Sequence, residues 1–373
     1  MFFQKNKNRG IIGIDFGTHS VKVAQIVTSG SRLGIKDAAI IPRAEVWPND
    51  LSGEPSGISS LGELDTAFTL NQNFSGRAAA CTMSMAVCDV RRMSIPQADI
   101  QLKGTHIENE LSTIERFKGV QREFDFWEID RAVPGGELPA NVLSLPTFWA
   151  NQCMDDINAA KMRCDLLDGV PFANARAFSL FEDSSDPVAL LDWGYSRATL
   201  SVIHDGQPKF VRILRKSGFR FVVDQIRQGF GLDALQSQEV IRQYGLESIT
   251  PARINHRQES PDRQAMAIQQ SVHNLVLEPI NAISSEISRT VDFLRNQQSA
   301  LSPVKLVLFG GGATLRNVAP LLEKKVRMKT EVWGNDLTVG VPGGLSLPVM
   351  ANAIAMSAAP LIYSQVETAK VAR

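Results

Sequence analysis

The chain has little of what builds metal centres and covalent cross-links. Its 373 residues hold four cysteines (Cys81, Cys88, Cys153, Cys164) with no CxxC pair, and five scattered histidines (His19, His106, His204, His256, His273). Zinc-ligand spacing is therefore absent, and a reduced cytoplasm is the expected compartment. Excess charge is missing too: Lys plus Arg and Asp plus Glu each number 39, which leaves nothing to steer the chain onto nucleic acid or anionic lipid and points to proteins or small molecules as partners. No Walker motif or GxGxxG is present. The first ten residues, MFFQKNKNRG, lack the apolar core of a signal peptide, so secretion is not expected. The most membrane-like run, residues 347–363 (LPVMANAIAMSAAPLIY), is interrupted by Asn352, Ser357 and Pro360 and dominated by small residues; it reads as a buried helix, not a membrane span.

What is present is enough apolar content, 44%, for a large core in a chain too long for one ordinary domain, so at least two compact units are expected. Residues 11–26, IIGIDFGTHSVKVAQI, read as a strand, a glycine turn and a second strand. Residues 190–203, LLDWGYSRATLSVI, repeat that layout. Asp15 and Asp192, Phe16 and Trp193, and Gly17 and Gly194 correspond at one offset of 177 residues. A repeat at this spacing predicts two similar lobes, not a solenoid of short units.

Between and beyond the hairpins the pattern is more ordinary. Residues 44–75, rich in Gly, Pro, Ser and Asn, read as a surface excursion with one short helix. From residue 88 to about 163 comes a self-contained alternation: strand CDVRRMSI, helix HIENELSTIERF, strands EFDFWEI and NVLSL, then a helix capped by Thr147 with a core stripe of Trp149, Cys153, Ile157 and Ala160. That predicts an inserted small subdomain. Residues 220–244 read as helical with a break at GFG. A longer helix over 264–296, kinked at Pro279, carries the stripe Ile280, Ile283, Ile287, Val291 and Leu294. The run KLVLFGGGATLRNV then gives a buried strand, three glycines and a helix beginning near Leu315.

A turn that exposes successive backbone N–H groups, without bulky side chains at the closest approach, can wrap phosphate oxygens. Gly17, Thr18, His19 and Ser20 form such a turn in lobe one. Asp15, acceptor-only when ionised, suits magnesium held mainly through water, and Asp192 is its counterpart. Lys22 supplies a point charge for a phosphate. Each feature has a plainer use as well: glycines make turns, a lysine can be solvated, aspartates cap backbone amides, and His19 would ordinarily be a surface turn residue. Two hairpins together with GGGATL favour phosphate binding over those uses.

In this order, GIDFGTHSVK, LLDWGYSRATL, SQEVIRQYGL, SSEISRTVDFLR and LFGGGATLRNV resemble the motifs of PilM-type proteins, actin-like components of type IV pilus assembly that are similar in turn to the division protein FtsA. The resemblance covers most of the chain and is loosest between residues 30 and 90. It implies an α/β, two-lobed actin-like (ASKHA) fold with an inserted small α+β subdomain in lobe one, and ATP with magnesium between the lobes. Gly17, Thr18, His19, Ser20 and Lys22 would lie on one side of the phosphates, and Gly194, Tyr195 and Ser196 on the other. Asp15 and Asp192 would hold magnesium through water, Glu239 would meet the ribose or adenine, and Gly310, Gly311 and Gly312 would pack against the nucleoside, with Glu286 and Arg289 behind them. Three departures stand out: Tyr195 replaces a usually small residue, Ala198 replaces a usual Thr or Ser, and Ile241, beside Arg242, takes the place of an expected Lys. Thr199 is not expected to compensate, because strand alternation would point it away.

The expected parse is 1–87 for the lobe-one core, 88–163 for the insertion, 164–187 for the return to lobe one, 188–345 for lobe two, and 346–373 for a C-terminal helix packing back on lobe one. The resemblance implies a cytoplasmic ATP-binding component of a pilus assembly platform at the inner-membrane face, peripheral to the membrane through its partner. That partner would be the N-terminal peptide of a single-pass PilN-like membrane protein, held at a strand edge of the inserted subdomain. Self-association is compatible with this reading. A small-molecule kinase of the same superfold would need a positioned base, and none is evident, so catalytic residues are unassigned and hydrolysis is expected to be slow or absent. An FtsA-like division protein would need a bulky apolar face that the tail SQVETAKVAR lacks.

Overall fold

The computed structural model describes residues 9–29, 32–47, 58–70, 73–129, 136–214, 216–247, 263–335 and 341–371. Within the surface excursion, residues 48–57, 71 and 72 lie outside the described residues. Its one short helix is present, as given next. The chain opens with β1 (Ile12–Phe16), β2 (Ser20–Ser29) and β3 (Arg32–Pro42), followed by α1 (Leu61–Leu70) and β4 (Ala78–Met83). The insertion contributes β5 (Asp89–Ile95), α2 (Ile100–Thr113), β6 (Arg122–Glu128), β7 (Leu138–Pro146) and α3 (Thr147–Ala159). Then come β8 (Arg163–Gly169) and α4 (Val170–Ser179). The second lobe contains β9 (Val188–Trp193), β10 (Ala198–His204), β11 (Gln207–Leu214), α5 (Arg220–Phe230), α6 (Ala234–Tyr244), α7 (Arg263–Gln297), β12 (Lys305–Phe309), α8 (Val318–Val326) and β13 (Lys329–Val332). The last element is α9 (Leu347–Val371).

Two five-stranded sheets have the same topology, ordered β3-β2-β1-β4-β8 and β11-β10-β9-β12-β13. In each, the hairpin is antiparallel and its first strand pairs parallel with a later one, β4 in the first sheet and β12 in the second. The repeat at 177 residues is thus a duplicated sheet with a duplicated hairpin. Every residue of β1 and of β9 is buried, as expected for inner strands covered on both faces. A third sheet, β5-β7-β6, is antiparallel throughout, and α2 covers it by burying Ile107 and Leu111 against Ile95 and Val142.

The helices α4 and α9 bring the two large sheets into one core, where Ala24 and Ile26 of β2 and Val307 and Phe309 of β12 join Phe178, Met350, Ile354 and Met356. Side chains of that size contribute about 1.5–3 kcal/mol each when fully buried. The membrane-like stretch is therefore an interior helix, and among the described residues no helix is long and apolar enough to cross a membrane. Its small residues are a packing requirement: a Cβ on Gly13 would lie 1.9 Å from the Ala353 carbonyl oxygen. Ser357 hooks the helix to the sheet, donating to the Ile11 carbonyl at 2.5 Å and accepting from the Ile26 N–H at 3.0 Å.

Several local expectations need correction. Helix α2 begins at Ile100 because Asp99 caps it, accepting from the Leu102 N–H at 2.9 Å, well before His106. Thr147 is the first residue of α3 and not its cap, a place taken by Pro146; its hydroxyl instead reaches Glu123 at 3.0 Å. Trp149, Cys153 and Ile157 are buried as the stripe predicts, whereas Ala160 falls at the frayed C-terminal cap and is half-buried. Helix α8 starts at Val318, since residues 311–314 form a 3₁₀ turn and Asn317 takes a left-handed conformation ahead of it. Helix α7 continues through Pro279 and buries its whole predicted stripe.

Candidate functional site

The two glycine hairpins meet tip to tip. Antiparallel register sets Asp15 opposite Lys22, and the ammonium lies 3.1 Å from the carboxylate. In the second lobe the same register sets Asp192 opposite Thr199. Directly opposed residues of an antiparallel pair share a face, so Thr199 is turned toward Asp192's side of the sheet and not away, which corrects the alternation argument. Beyond the strands, the Thr18 and Ser196 hydroxyls are 2.8 Å apart, and both residues are buried. The His19 ring lies 4.4 Å from that of Tyr195, tilted by 38°, and its Nε2 is 3.1 Å from the Gln238 amide nitrogen on α6. His19 is thus half-buried between lobes and not a solvated turn residue.

Both tips are braced from behind through their carbonyls. Gly17 accepts from Arg43 Nε at 2.7 Å, His19 from the Arg43 N–H at 2.9 Å and Thr18 from the Trp47 N–H at 2.9 Å. Gly194 and Tyr195 accept from the N–H groups of Phe219 and Arg220, each at 2.9 Å. No acceptor among the described residues meets the N–H groups of Thr18, His19, Tyr195 or Ser196. A turn with engaged carbonyls and unengaged N–H groups carries a local positive potential suited to an anion.

Charge below the tips has the opposite sign. Burial and the neighbouring Asp15 push Asp192 up to about 7, against the pull of Lys22 and a side-chain hydrogen bond from Asn352. Two carboxylates sharing one lysine form a place where a cation relieves repulsion. Magnesium bound mainly through water asks for no more than one or two carboxylates. Among the described residues no group of three or more His, Cys, Asp or Glu is arranged to hold an ion directly. Burial and Lys22 depress His19, so the neutral ring accepts from Gln238 at neutral pH. Arg43 is lowered to about 10 by burial, partly offset by Glu63 and Asp15, and its guanidinium lies 3.9 Å over the Trp47 ring.

The remaining predicted residues are divided. A Cβ on Gly310, whose φ is +79°, would fall 2.5 Å from Asp192 Oδ1, and one on Gly312 would fall 2.2 Å from the Trp193 ring. These two glycines are explained by the second hairpin itself; only Gly311 has open room, with Phe219 at 3.7 Å. Glu239 is exposed and bound to Arg242 at 2.8 Å, which lowers its pKa, while its neighbour Gln238 is the α6 residue that reaches the tips. Glu286 bridges Arg212 of β11 at 2.7 Å and Arg289 at 2.8 Å, tying α7 to the sheet. Ser20 is buried at the start of β2, and Ala198 is buried opposite Trp193. Arg43 and Gln238 escaped the sequence reading. The only signals were a lone arginine in an apolar run after β3 and a polar residue beside Glu239.

The insertion touches the second lobe. Trp127 donates to the Pro208 carbonyl at 2.6 Å and packs edge-on against Phe172 at 4.6 Å, and Asn141 donates to the Lys209 carbonyl at 3.3 Å. Phe124 and Phe126 instead pack on the insertion's own core.

The family model described as type IV pilus assembly protein PilM matches residues 13–340. Among solved structures, the chain is similar to one described as a PilM-PilN type IV pilus biogenesis complex, with a TM-score of 0.74 and 19% identity over 93% of this chain and 97% of that one. The ethanolamine utilization protein EutJ from Carboxydothermus hydrogenoformans follows at a TM-score of 0.52 and 10% identity, covering 96% of this chain and 92% of that one. MreB 5 of Spiroplasma citri, solved with AMPPNP, gives a TM-score of 0.48 and 12% identity, covering 98% and 100%. The fold is the two-lobed actin-like α/β fold, with a small subdomain inserted in lobe one.

Proposed function

This chain belongs to the type IV pilus assembly protein PilM family, and on that premise we propose that it binds ATP with magnesium in the cleft between its hairpins and holds a PilN-like peptide on its inserted subdomain. It is a component of type IV pilus assembly; neither the division-protein nor the kinase alternative is favoured. The observation that carries the nucleotide reading is the opposition of two turns with unengaged N–H groups above the buried Asp15 and Asp192, with Lys22 paired to Asp15. In this reading the backbone N–H groups of Gly17, Thr18, His19, Ser20, Gly194, Tyr195 and Ser196 hold the phosphates, Lys22 neutralises them, and Asp15 and Asp192 orient the water shell of magnesium. Glu239, Gly310, Gly311 and Gly312 are assigned to the nucleoside end. The bound nucleotide would tie the lobes together, and no step of hydrolysis is assigned to any residue.

The parse at residues 87, 163, 187 and 345 belongs to the same proposal, as does a position on the cytoplasmic face of the inner membrane reached through the partner. The insertion's sheet has two edge strands, β5 and β6, each paired only with β7, and an extended peptide adding a strand there is the mode that supports this reading. Titrating a fluorescent PilN-like N-terminal peptide against the chain tests this. Affinity should fall beyond detection when residues 88–163 are replaced by a short linker and should survive Lys22→Ala. Unchanged affinity in a folded deletion variant would overturn the assignment.

A further inference from the structure

His19 belongs to lobe one but is gripped by two residues of lobe two: its ring lies against Tyr195 at 4.4 Å, and its Nε2 takes the Gln238 amide at 3.1 Å. Next to it, Thr18 and Ser196 are in direct hydrogen bond at 2.8 Å, with 3% and 6% of their surface exposed. Tyr195 is in turn packed against the second lobe's core and faces Asp224, Arg220 and Arg227 of α5. The tips are therefore in contact through side chains, at the place where the nucleotide reading needs phosphate oxygens.

From this we infer that His19, Tyr195 and Gln238 form a side-chain latch across the hairpin tips that a nucleotide must displace to bind. The inference rests on reading the cleft as a nucleotide site, and adds what regulates entry to it. A phosphate entering between the tips has to break the Thr18–Ser196 bond and part the His19–Tyr195 rings. A closed state that is favoured lowers apparent ligand affinity by the fraction of molecules left open. A tyrosine at this position thus sets how readily the cleft admits a ligand, and its replacement by a small residue should relieve the competition.

Closure can be read without any nucleotide by disulfide trapping in the full chain. With T18C and S196C introduced together, the thiols occupy the positions of two hydroxyls already in contact, and a bond of about 2.05 Å needs only a small approach. Under glutathione disulfide, with the linked peptides identified by mass spectrometry, this pair should cross-link, adding Tyr195→Ala should slow the reaction about fivefold or more, and adding Tyr195→Phe, which keeps the ring, should leave it unchanged. In a separate titration with magnesium and ATP, Tyr195→Ala alone should bind about fivefold more tightly than the unmodified chain. A cross-linking rate indifferent to Tyr195→Ala overturns the latch, and so does slower cross-linking combined with weaker ATP binding, because the Tyr195 side chain would then be a ligand contact. Slower cross-linking with no ATP binding in either protein upholds the latch as an interlobe tie and rejects the nucleotide reading.

Discussion

Thr199 stands opposite Asp192 in the β9–β10 ladder, in the position that Lys22 holds opposite Asp15 in β1–β2. The two lobes share a geometry and differ in charge. Asp15 has an ammonium at 3.1 Å, whereas the Asp192 carboxyl is buried with a neutral residue across from it and a second acid nearby. Burial of the Asp192 carboxyl, with Asp15 nearby, pushes it up to about 7.

Asp192 should make stability fall with rising pH in metal-free buffer. Its folded value of about 7 exceeds the ordinary 3.8, so between these values the folded chain holds the proton more tightly than the unfolded chain. The advantage is full below about 4 and gone above about 7. Asp192→Asn should therefore be more stable than the unmodified chain at pH 8, by up to about 2–4 kcal/mol, with the difference shrinking toward pH 4. Adding magnesium should narrow the gap at pH 8. Scanning calorimetry across pH with EDTA checks this, and a difference that is flat with pH would contradict it.

His19 works in the opposite direction. Its folded pKa lies below 6.5, so its neutral form supports the fold fully above that pH and the contribution is lost as pH falls through the interval. His19→Phe keeps a ring against Tyr195 and removes the titration. Its melting temperature should decline less steeply than that of the unmodified chain between pH 6.5 and pH 5, and an identical slope would show that His19 does not titrate across the closed tips.

Ser357→Ala should cost about 1–3 kcal/mol in urea denaturation, because it strands the buried Ile26 N–H and removes a donor from the Ile11 carbonyl. The denaturation slope should not change. A cost under about 0.5 kcal/mol would mean that the sheet edge finds other partners.

Trp127→Phe should loosen the insertion without unfolding the protein. The edge contact with Phe172 can survive, but the Pro208 carbonyl loses its 2.6 Å donor. Amide exchange should accelerate in residues 122–128 and 207–214 while the exchange of β1 and β9 stays slow.

Much of this architecture is legible in the amino-acid order, because local chemistry writes it there. An apolar strand, an aspartate, an aromatic residue and a glycine recur 177 residues apart, and the structure places both copies on the inner strands of duplicated sheets. The α7 stripe from Ile280 to Leu294 and the small-residue run of α9 are likewise periodic and buried. What was not legible depends on pairing between segments. Strand alternation within β10 alone does not say which side Asp192 occupies; the register, which sets Thr199 opposite it, does. The bond between Thr18 and Ser196 spans 178 residues, and Arg43 braces the first tip from beyond β3. The close packing of Gly310 on Asp192 and of Gly312 on Trp193 is of the same kind, since the sequence shows a missing side chain without showing its neighbours.

The central claim is that the cleft between the hairpins binds nucleotide, and isothermal calorimetry of the purified chain with ATP and magnesium tests it most directly. The account predicts saturable one-to-one binding that weakens at least about tenfold in Lys22→Ala and in Asp15→Ala, since each removes a charge-assisted contact. It also predicts loss of affinity when EDTA replaces magnesium. Absence of heat at millimolar ATP in both the unmodified chain and Tyr195→Ala, or equal affinity in Lys22→Ala, would contradict it.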